Sequence, residues 1–237
     1  MQQNGGNAVD YCLVQMIAKD TIEYIKTIIH PGISLAEVRM LCENKMLSLG
    51  ADSFWYWNIG AFVFAGDETA ISISGKAYKT SDRLIAPDDI ITIDLSPQVG
   101  GIWGDYARTI IVENGSVVLK TSDIRTDAWR NALELEDLLH AELKETVRPT
   151  TTFEELYDSM NEYIQIKGYI NLDFAGNLGH SIVRRKEDRI YIERGNHTKL
   201  GDVRFFTFEP HIGTAGSKYG FKQENIYYFD SGVLKEL

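Results

Sequence analysis

Apolar residues recur with a helical period in four segments, and these segments form two pairs. The first pair covers residues 10–29 and a segment that opens at Ser34, and the second covers residues 123–146 and a segment that opens at Thr152. The apolar positions are Leu13, Met16, Ile17, Tyr24, Ile25 and Ile28; Val38, Leu41, Met46 and Leu49; Ala128, Leu133, Leu135, Leu138 and Leu139; and Leu156, Met160, Tyr163 and Ile164. We therefore predict four helices in two consecutive pairs.

The two helix pairs share the residues that break, cap and end their helices. In each pair a proline breaks the chain, a Ser/Thr-x-x-Glu capping pattern opens the second helix, and a glycine ends it. These residues are Pro31, Ser34, Glu37 and Gly50 in the first pair and Pro149, Thr152, Glu155 and Gly168 in the second. The segments HPGISLAEV and RPTTTFEEL align without a gap. Chance similarity between amphipathic helices is the alternative, but the shared breaks and caps favour an internal duplication.

Each helix pair is followed by a strand-rich stretch, at residues 54–119 and 170–229. Strands are predicted at residues 90–95 and 106–112, and the pair Asn114-Gly115 is a strong turn signal after the second of them. We expect an α+β fold in a single domain, with pseudo-repeats at about 10–119 and 123–229. The two sheets should lie together, with the helices outside.

The composition narrows the possible partners. The chain has 237 residues and a formal net charge of -10, which argues against general affinity for nucleic acid or an anionic membrane surface. No apolar run approaches the roughly 18 residues of a membrane span, and the first ten residues have no signal-peptide pattern. We expect a cytoplasmic protein, and a homodimer is left open.

Four acidic residues and one histidine stand in strand-like runs, where acidic residues are normally rare. They are Asp94, Asp105, His180, Glu209 and Glu224. A symmetric loop centred on residues 99–100 would place Asp94 opposite Asp105, and one centred on residues 216–217 would place Glu209 opposite Glu224. Facing side chains have Cβ atoms about 5 Å apart. A loop of odd length would make each pair diagonal, which still permits bridging of a shared ion.

Four carboxylates among apolar and aromatic neighbours need compensation, because burial of an unpaired charge is costly. A shared proton or exposure on a sheet face is the alternative explanation. Divalent cations explain all four together, and His180 adds a neutral nitrogen ligand.

The segments IDLSP, GDYART, GH, FEP and QEN have the order and rough spacing of the M24-type "pita-bread" metallopeptidases. The chain resembles this family, which includes methionine aminopeptidase, aminopeptidase P, prolidase and creatinase, over nearly its whole length. We expect a short form without the N-terminal domain that the last three carry.

The resemblance implies two divalent cations, with manganese, iron, cobalt and zinc all compatible. Asp94 would chelate one cation, His180 and Glu209 the other, and Asp105 and Glu224 would bridge both. Water between the cations would become the hydroxide nucleophile, and Glu209 would also accept its proton.

The chain departs from the family at two further histidines that position the substrate. Ser72 and Ser74 stand in the region of the first, and Glu187 stands near the second. Such donors are often worth about 3 kcal/mol each. Because its strand carries it near the metal residues, His211 is the predicted catalytic replacement; a packing role is the alternative.

Other side chains are predicted to bind substrate. The aromatic run of residues 54–57 favours Trp55 and Trp57 as a pocket wall, with core packing as the alternative. Ser74 and His197 are further substrate-binding candidates, and the cationic candidates for a substrate carboxylate are Lys76 and Arg184.

Three functions follow from these patterns. The first is a metal-dependent hydrolase of a small peptide or amino-acid derivative, including an Xaa-Pro bond. The second is creatinase-like or other metal-dependent chemistry on a small metabolite, which the replaced histidines favour. The third is a non-catalytic module that binds peptides or proteins, although retention of every metal residue argues against it.

Overall fold

The computed structural model describes residues 8–237, with side chains from residue 10 onward. The four helices of this part of the chain are α1 (Ala8–Lys26), α2 (Leu35–Ser48), α3 (Asp127–Thr146) and α4 (Phe153–Ile166). They agree with the predicted pairs, although Leu13 and Met16 of α1 are exposed. The buried side of that helix is instead lined by Val14, Ala18 and Ile22.

Both predicted capping patterns operate. Ser34 Oγ accepts a hydrogen bond from the Glu37 N–H at 3.2 Å. Thr152 Oγ1 accepts from the Glu155 N–H at 3.1 Å, and the Glu155 carboxylate accepts from the Thr152 N–H at 2.8 Å. These contacts satisfy N–H groups that a helix start otherwise leaves unpaired.

The strands are short and belong to four antiparallel sheets. In chain order they are β1 (Ser53–Phe54), β2 (Ala61–Ala65), β3 (Asp89–Leu95), β4 (Pro97–Val99), β5 (Ile102–Trp103), β6 (Tyr106–Glu113), β7 (Ser116–Val117), β8 (Tyr169–Asn171), β9 (Phe206–Phe208), β10 (His211–Thr214), β11 (Phe221–Lys222), β12 (Asn225–Asp230) and β13 (Val233–Glu236). The sheet orders are β2-β3-β6-β7, β1-β4-β5, β11-β10-β8 and β13-β12-β9. The predicted turn joins β6 to β7, with positive φ angles of 51° at Asn114 and 78° at Gly115.

The register of β3 and β6 differs from the prediction. Asp94 pairs with Ala107, so Asp105 lies two positions before the partner of Asp94 rather than opposite it. The intervening loop is not a simple symmetric turn, because it forms the β4–β5 hairpin of another sheet. The two carboxylates are therefore diagonal neighbours.

The prediction for the second pair of carboxylates is correct. The same register runs through the β9–β12 and β10–β11 pairs, with Phe208 opposite Asn225. It places Glu209 opposite Glu224, and the turn at the far end contains Gly216 with φ of 79°.

The helices cover the sheets from outside. One apolar core joins α1 and α2 to β2, β3 and β6, and a second joins α3 and α4 to the later strands. The two sets of strands meet where the Glu224 N–H donates to the Ala107 carbonyl oxygen at 3.0 Å. Each set thus follows its own helix pair, and the duplication itself stays a prediction. In the described residues, no helix has the length and apolarity needed to cross a membrane.

Candidate metal centre and substrate cavity

The fold brings the five predicted ligands together from separate elements. Ligand atoms of Asp105, His180 and Glu224, here called the histidine group, all lie within 4.8 Å of one another. Those of Asp94, Glu209 and Glu224, here called the acidic group, meet the same limit. Glu224 belongs to both groups, as expected of a bridging ligand.

Helix α1 holds Asp105 by its main chain. The Gln15 side chain donates to the Asp105 carbonyl oxygen at 2.7 Å and accepts from the Asp105 N–H at 3.1 Å. Gln15 is 1% exposed, so no water competes for these bonds. The sequence does not predict this role of Gln15, since a glutamine within a helical stripe carries no signal of a distant partner.

His180 is held by the segment just before it. Gly179 has φ of +139°, and a Cβ there would lie 2.3 Å from the Thr207 carbonyl oxygen, so only glycine fits. The His180 N–H donates to Thr207 Oγ1 at 3.0 Å. Its ring Nδ1 lies 3.1 Å from the Ser181 carbonyl oxygen, which can only accept, so Nδ1 carries the proton. Nε2 therefore has the lone pair that could bind a metal ion.

That nitrogen faces the acidic side chains. It lies 3.5 Å from Asp105 Oδ2 and 3.7 Å from Glu209 Oε1. Burial is the main cause that lowers the pKa of His180 to about 4. The imidazole is therefore neutral at pH 7, which is the form that binds metal.

Glu224 is fixed through its backbone, while its carboxylate has no hydrogen-bond partner among the described residues. Arg108 donates to the Glu224 carbonyl oxygen at 2.8 Å and to Asn225 Oδ1 at 2.6 Å. The Glu224 side chain is buried, and neither carboxylate oxygen has a hydrogen-bond partner. An orphaned buried carboxylate is costly, and a cation shared with its neighbours would satisfy it. The ligand set therefore fits divalent cations.

Burial and mutual repulsion govern the other carboxylates. Burial, followed by the charge of Asp105, raises the pKa of Glu224 well above its ordinary value. Burial, followed by the charge of Asp94, does the same for Asp105. Such crowding of like charges is typical of a site built around cations.

Lys222 enters the same cluster, and the sequence analysis did not identify it. Its Nζ lies 2.6 Å from Asp94 Oδ2, 2.9 Å from Glu209 Oε2 and 3.7 Å from Glu224 Oε2. Burial acts to lower the pKa of Lys222, but these carboxylates outweigh it and raise the pKa well above its ordinary value. The only indication in the sequence is that Lys222 lies two residues before Glu224, because residues two apart on a strand point to the same face.

A cavity of about 350 Å³ opens beside the metal residues. One wall is aromatic and apolar and includes Trp55 of the predicted run. The Trp55 ring stacks on Trp103 at 4.0 Å, and its Nε1 donates to the Gly104 carbonyl oxygen at 3.0 Å. Further apolar or aromatic lining residues are Tyr56, Phe62, Phe64, Ile71, Ile73 and Phe174.

His211 also lines this cavity and pairs in register with Lys222. Its Nε2 lies 2.7 Å from the Thr69 carbonyl oxygen and must carry the proton. Burial is the main cause that lowers the pKa of His211 to about 4. The ring is a neutral group fixed at the cavity wall.

Three predicted substrate-binding residues lie elsewhere. Trp57 is 46% exposed and lies under the Lys186 ammonium. His197 is on an exposed loop, where its Nδ1 lies 2.9 Å from Glu154 Oε2. Ser74 does not line the cavity, whereas Ser72 does. Of the four predicted substrate residues, Trp55 alone lines the cavity, and substrate binding by the other three stays a prediction that this cavity does not support.

The cavity also has a cationic wall residue that the sequence analysis missed. Lys76 and Arg184 are exposed and do not line the cavity, but Arg189 does. Its guanidinium lies 5.0 Å from the Trp55 ring centroid and 5.5 Å from that of Tyr191, and Nη1 lies 3.4 Å from His180 Nε2. Arg189 follows a run of mixed charges at residues 184–188, a pattern that is typical of a solvated surface rather than of a cavity wall.

Comparison with known proteins places the chain among metallopeptidases. Residues 13–231 match the family described as metallopeptidase family M24. A methionine aminopeptidase from Methanocaldococcus jannaschii is 26% identical over 225 residues, which are 90% of this chain and 67% of that protein.

Solved structures show the same fold. The X-Pro aminopeptidase from Thermotoga maritima has a TM-score of 0.79 and 19% identity, and the match covers 96% of this chain and 60% of that one. A methionine aminopeptidase from the same organism has a TM-score of 0.75 and 13% identity, with 100% and 98% covered. The chain therefore has the pita-bread fold, and it spans about three fifths of the X-Pro aminopeptidase.

Proposed function

The chain belongs to metallopeptidase family M24, and we propose that it is a metal-dependent hydrolase of a small peptide or amino-acid derivative. The proposal includes a dinuclear centre in which the histidine group would hold one cation and the acidic group the other. This partition differs from the one that the family resemblance implies, because Glu209 falls in the acidic group rather than beside His180 and Asp105 belongs to the histidine group alone. When bound, the cations would supply Lewis-acid chemistry, lowering the pKa of the attacking water and polarising the scissile carbonyl. Manganese, iron, cobalt and zinc all suit these ligands.

The observation that carries this proposal is the orphaned carboxylate of Glu224. It is fully buried, has no hydrogen-bond partner, and is shared by both ligand groups. What distinguishes Glu224 is that two groups of candidate ligands share it, an arrangement that cations would compensate and that simple binding of another molecule does not require. This weighs against the alternative of a non-catalytic binding module.

Glu209 is proposed as the proton acceptor. Burial acts to raise its pKa, but the opposite charge of Lys222 leads the effects that lower it overall. The carboxylate is therefore ionised at neutral pH and able to take a proton. The Nε2–H of His211 donates to the Thr69 carbonyl oxygen, so this N–H is not available to the substrate. The other atoms of the imidazole ring would contact the substrate and orient it.

Arg189 is proposed to bind an anionic group of the substrate. Its Nε donates to the Lys186 carbonyl oxygen at 2.8 Å, and this bond fixes the plane of the guanidinium group. The side chain lines the cavity, so its terminal N–H groups are available to a substrate. Aromatic rings beside it exclude water and strengthen its attraction for a carboxylate. This points to a substrate with a free carboxylate close to the scissile bond, as in a dipeptide or an acylated amino acid.

The rest of the cavity suits a compact apolar group. Ile71 is 47% exposed and Phe174 is 64% exposed at its rim, so they offer apolar surface to an entering side chain. A prolyl or other small apolar residue beside the carboxylate would contact this rim. A specialised metabolite that combines a carboxylate with a small ring would make the same contacts, so creatinase-like chemistry is the second candidate.

Metal content tests the proposed ligands. His180→Ala and Glu224→Ala should bind less Mn²⁺ than the wild type and should have no turnover, because each removes a ligand. His197→Ala and Glu187→Ala are matched controls on the exposed surface and should bind metal normally. Full Mn²⁺ content in either ligand variant, measured by elemental analysis, would show that the assignment is wrong.

A substrate panel tests the reaction and the anion contact. Dipeptides, Xaa-Pro peptides, acylated amino acids and cyclic metabolites should be compared with their C-terminal amides. Arg189→Met should raise KM for the carboxylate substrates by about tenfold or more and leave the amides unchanged, since a buried charge pair is lost. If acids and amides respond equally, Arg189 does not bind the carboxylate. No hydrolysis of any compound in the Mn²⁺-loaded protein would refute the hydrolase proposal.

A further inference from the structure

Lys222 stands where the proposed second cation would stand. Its ammonium contacts Asp94 and Glu209 at 2.6 and 2.9 Å and approaches Glu224 at 3.7 Å. These three residues are the whole of the acidic group. Divalent cations sit about 2.0–2.6 Å from their oxygen ligands, so an ammonium and a metal ion cannot occupy this position together.

We propose that Lys222 is an internal competitor for one of the two metal positions. Its ammonium fills the acidic group at low metal concentration and must swing away before a cation can bind there. The inference rests on the proposed metal-dependent function and adds a control on how many cations the site holds.

The competition is confined to one position. Lys222 reaches the histidine group only through the shared Glu224, at 3.7 Å. Among the described residues, no hydrogen bond or ion pair joins Lys222 to Asp105 or His180, and its charge acts on them only at longer range. A cation at the histidine group therefore loses little to Lys222, whereas a cation at the acidic group must break two short charge-assisted contacts.

Charge balance points the same way. The site contains four carboxylates and a neutral imidazole. With Lys222 in place and one divalent cation, the set carries one net negative charge, so it is nearly compensated without a second cation. Two divalent cations with the ammonium displaced make the set neutral, but the displaced ammonium then lacks its carboxylate partners. Because an uncompensated charge in a buried site is costly, the first arrangement is favoured until the metal concentration is high.

The backbone of Lys222 is anchored, so only its side chain has to move. Its N–H donates to Thr109 Oγ1 at 2.8 Å, and its carbonyl oxygen accepts from the same hydroxyl at 3.1 Å. The side chain is 18% exposed and lines the substrate cavity, which gives the ammonium a path away from the carboxylates. A substrate carboxylate in the cavity would be a suitable partner for the displaced ammonium.

The test is a Mn²⁺ titration of metal-free protein, with free Mn²⁺ followed by its electron paramagnetic resonance signal. The wild type should take up one equivalent tightly and the second about 10- to 100-fold more weakly, the range that contacts around metal ligands usually contribute. Lys222→Met keeps the length of the side chain and removes its charge. In this variant the second equivalent should bind about 10- to 100-fold more tightly than in the wild type, with the first little changed.

Three further variants distinguish the loss of the Lys222 charge from other effects of substitution. Lys222→Gln is a second neutral variant in case the methionine variant does not fold, and it should also bind the second equivalent more tightly. Lys222→Arg keeps the charge and should retain weak binding of the second equivalent. Lys218→Met removes an exposed lysine that lies over Tyr219 and should match the wild type. Circular dichroism should verify that each variant is folded.

The outcomes separate the two proposals. If the wild type and the neutral variants bind the second equivalent equally, Lys222 is not a competitor, while the metal-dependent function still stands. Failure of every protein to bind any Mn²⁺, Co²⁺ or Zn²⁺ refutes the metal-dependent function and this inference with it. One tight and one weak equivalent without hydrolysis of any substrate refutes the hydrolase alone.

Discussion

Gly179→Ala is the substitution whose effect follows most directly from the geometry around the metal ligands. A Cβ at this position would lie 2.3 Å from the Thr207 carbonyl oxygen and 2.9 Å from the carbonyl carbon. Both atoms belong to the backbone of strand β9, which pairs with β12 and cannot easily retreat. The segment that carries His180 must therefore move instead.

The magnitude has two parts. A residue with a side chain at φ of +139° costs about 1–3 kcal/mol in backbone strain. Relief of the overlap with β9 costs about 1–3 kcal/mol more, as in an overpacked core. We expect the free energy of unfolding of the metal-free protein to fall by about 2–6 kcal/mol. Displacement of His180 should also weaken Mn²⁺ binding by at least about tenfold.

The assay is urea unfolding followed by far-ultraviolet circular dichroism in the presence of chelator, with Mn²⁺ titration of the folded variant. Gly195→Ala is the matched control, because Gly195 also has a positive φ, of +88°, but a Cβ there meets nothing within 4 Å. The free energy of unfolding of Gly195→Ala should fall by only about 1–2 kcal/mol, which is the cost of a left-handed conformation in a residue with a side chain. This variant should bind Mn²⁺ normally. Equal losses in the two variants, or unchanged Mn²⁺ binding in Gly179→Ala, would refute the steric argument.

Two further predictions concern buried polar contacts. Gln15→Leu leaves the N–H and carbonyl groups of Asp105 unpaired, so the free energy of unfolding should fall by about 2–4 kcal/mol. Mn²⁺ should also bind more weakly. Normal Mn²⁺ binding would show that the two hydrogen bonds from Gln15 do not position Asp105 as a ligand. Burial opposes ionisation of Glu113, but the N–H groups of Arg125 and Thr126, at 2.8 and 2.9 Å, outweigh it and lower the pKa of that carboxyl. A lowered folded-state pKa stabilises the protein above the unfolded-state pKa, and this contribution is lost as pH falls through the folded-state value. Glu113→Gln should therefore cost about 2 kcal/mol at pH 7 and progressively less in acid, measured by urea unfolding across pH; a cost independent of pH would contradict the assignment.

The two proposals of function depend on different side chains of one cavity. Arg189 and the apolar rim bear on which substrate enters, whereas Lys222 bears on how many cations are present when it does. Both side chains are positively charged: Lys222 lies beside the carboxylates of Asp94 and Glu209, and Arg189 lies beside the candidate ligand His180. Their separate variants allow substrate recognition and metal occupancy to be measured independently.

The sequence by itself determined the local elements and the chemical character of the site. The helical periods and capping patterns of Ser34 and Thr152 are short-range features, and they gave α2 and α4 with their starts. The symmetric turn at residues 216–217 also gave the correct pairing of Glu209 with Glu224, since hairpin register follows from loop length. The acidic residues in apolar strands predicted a shared cation site because burial penalises unpaired charge.

Tertiary structure decided which side chains reach that site. The pairing of Asp94 with Ala107 depends on the β4–β5 hairpin and its own sheet, which loop symmetry could not reveal. Trp57, Ser74 and His197 do not line the cavity, although each had suitable chemistry. Lys222 and Arg189 reach it across large sequence separations, because long flexible side chains are directed by the space and charge around them. Those surroundings are assembled from both halves of the chain, and no local pattern in the sequence records them.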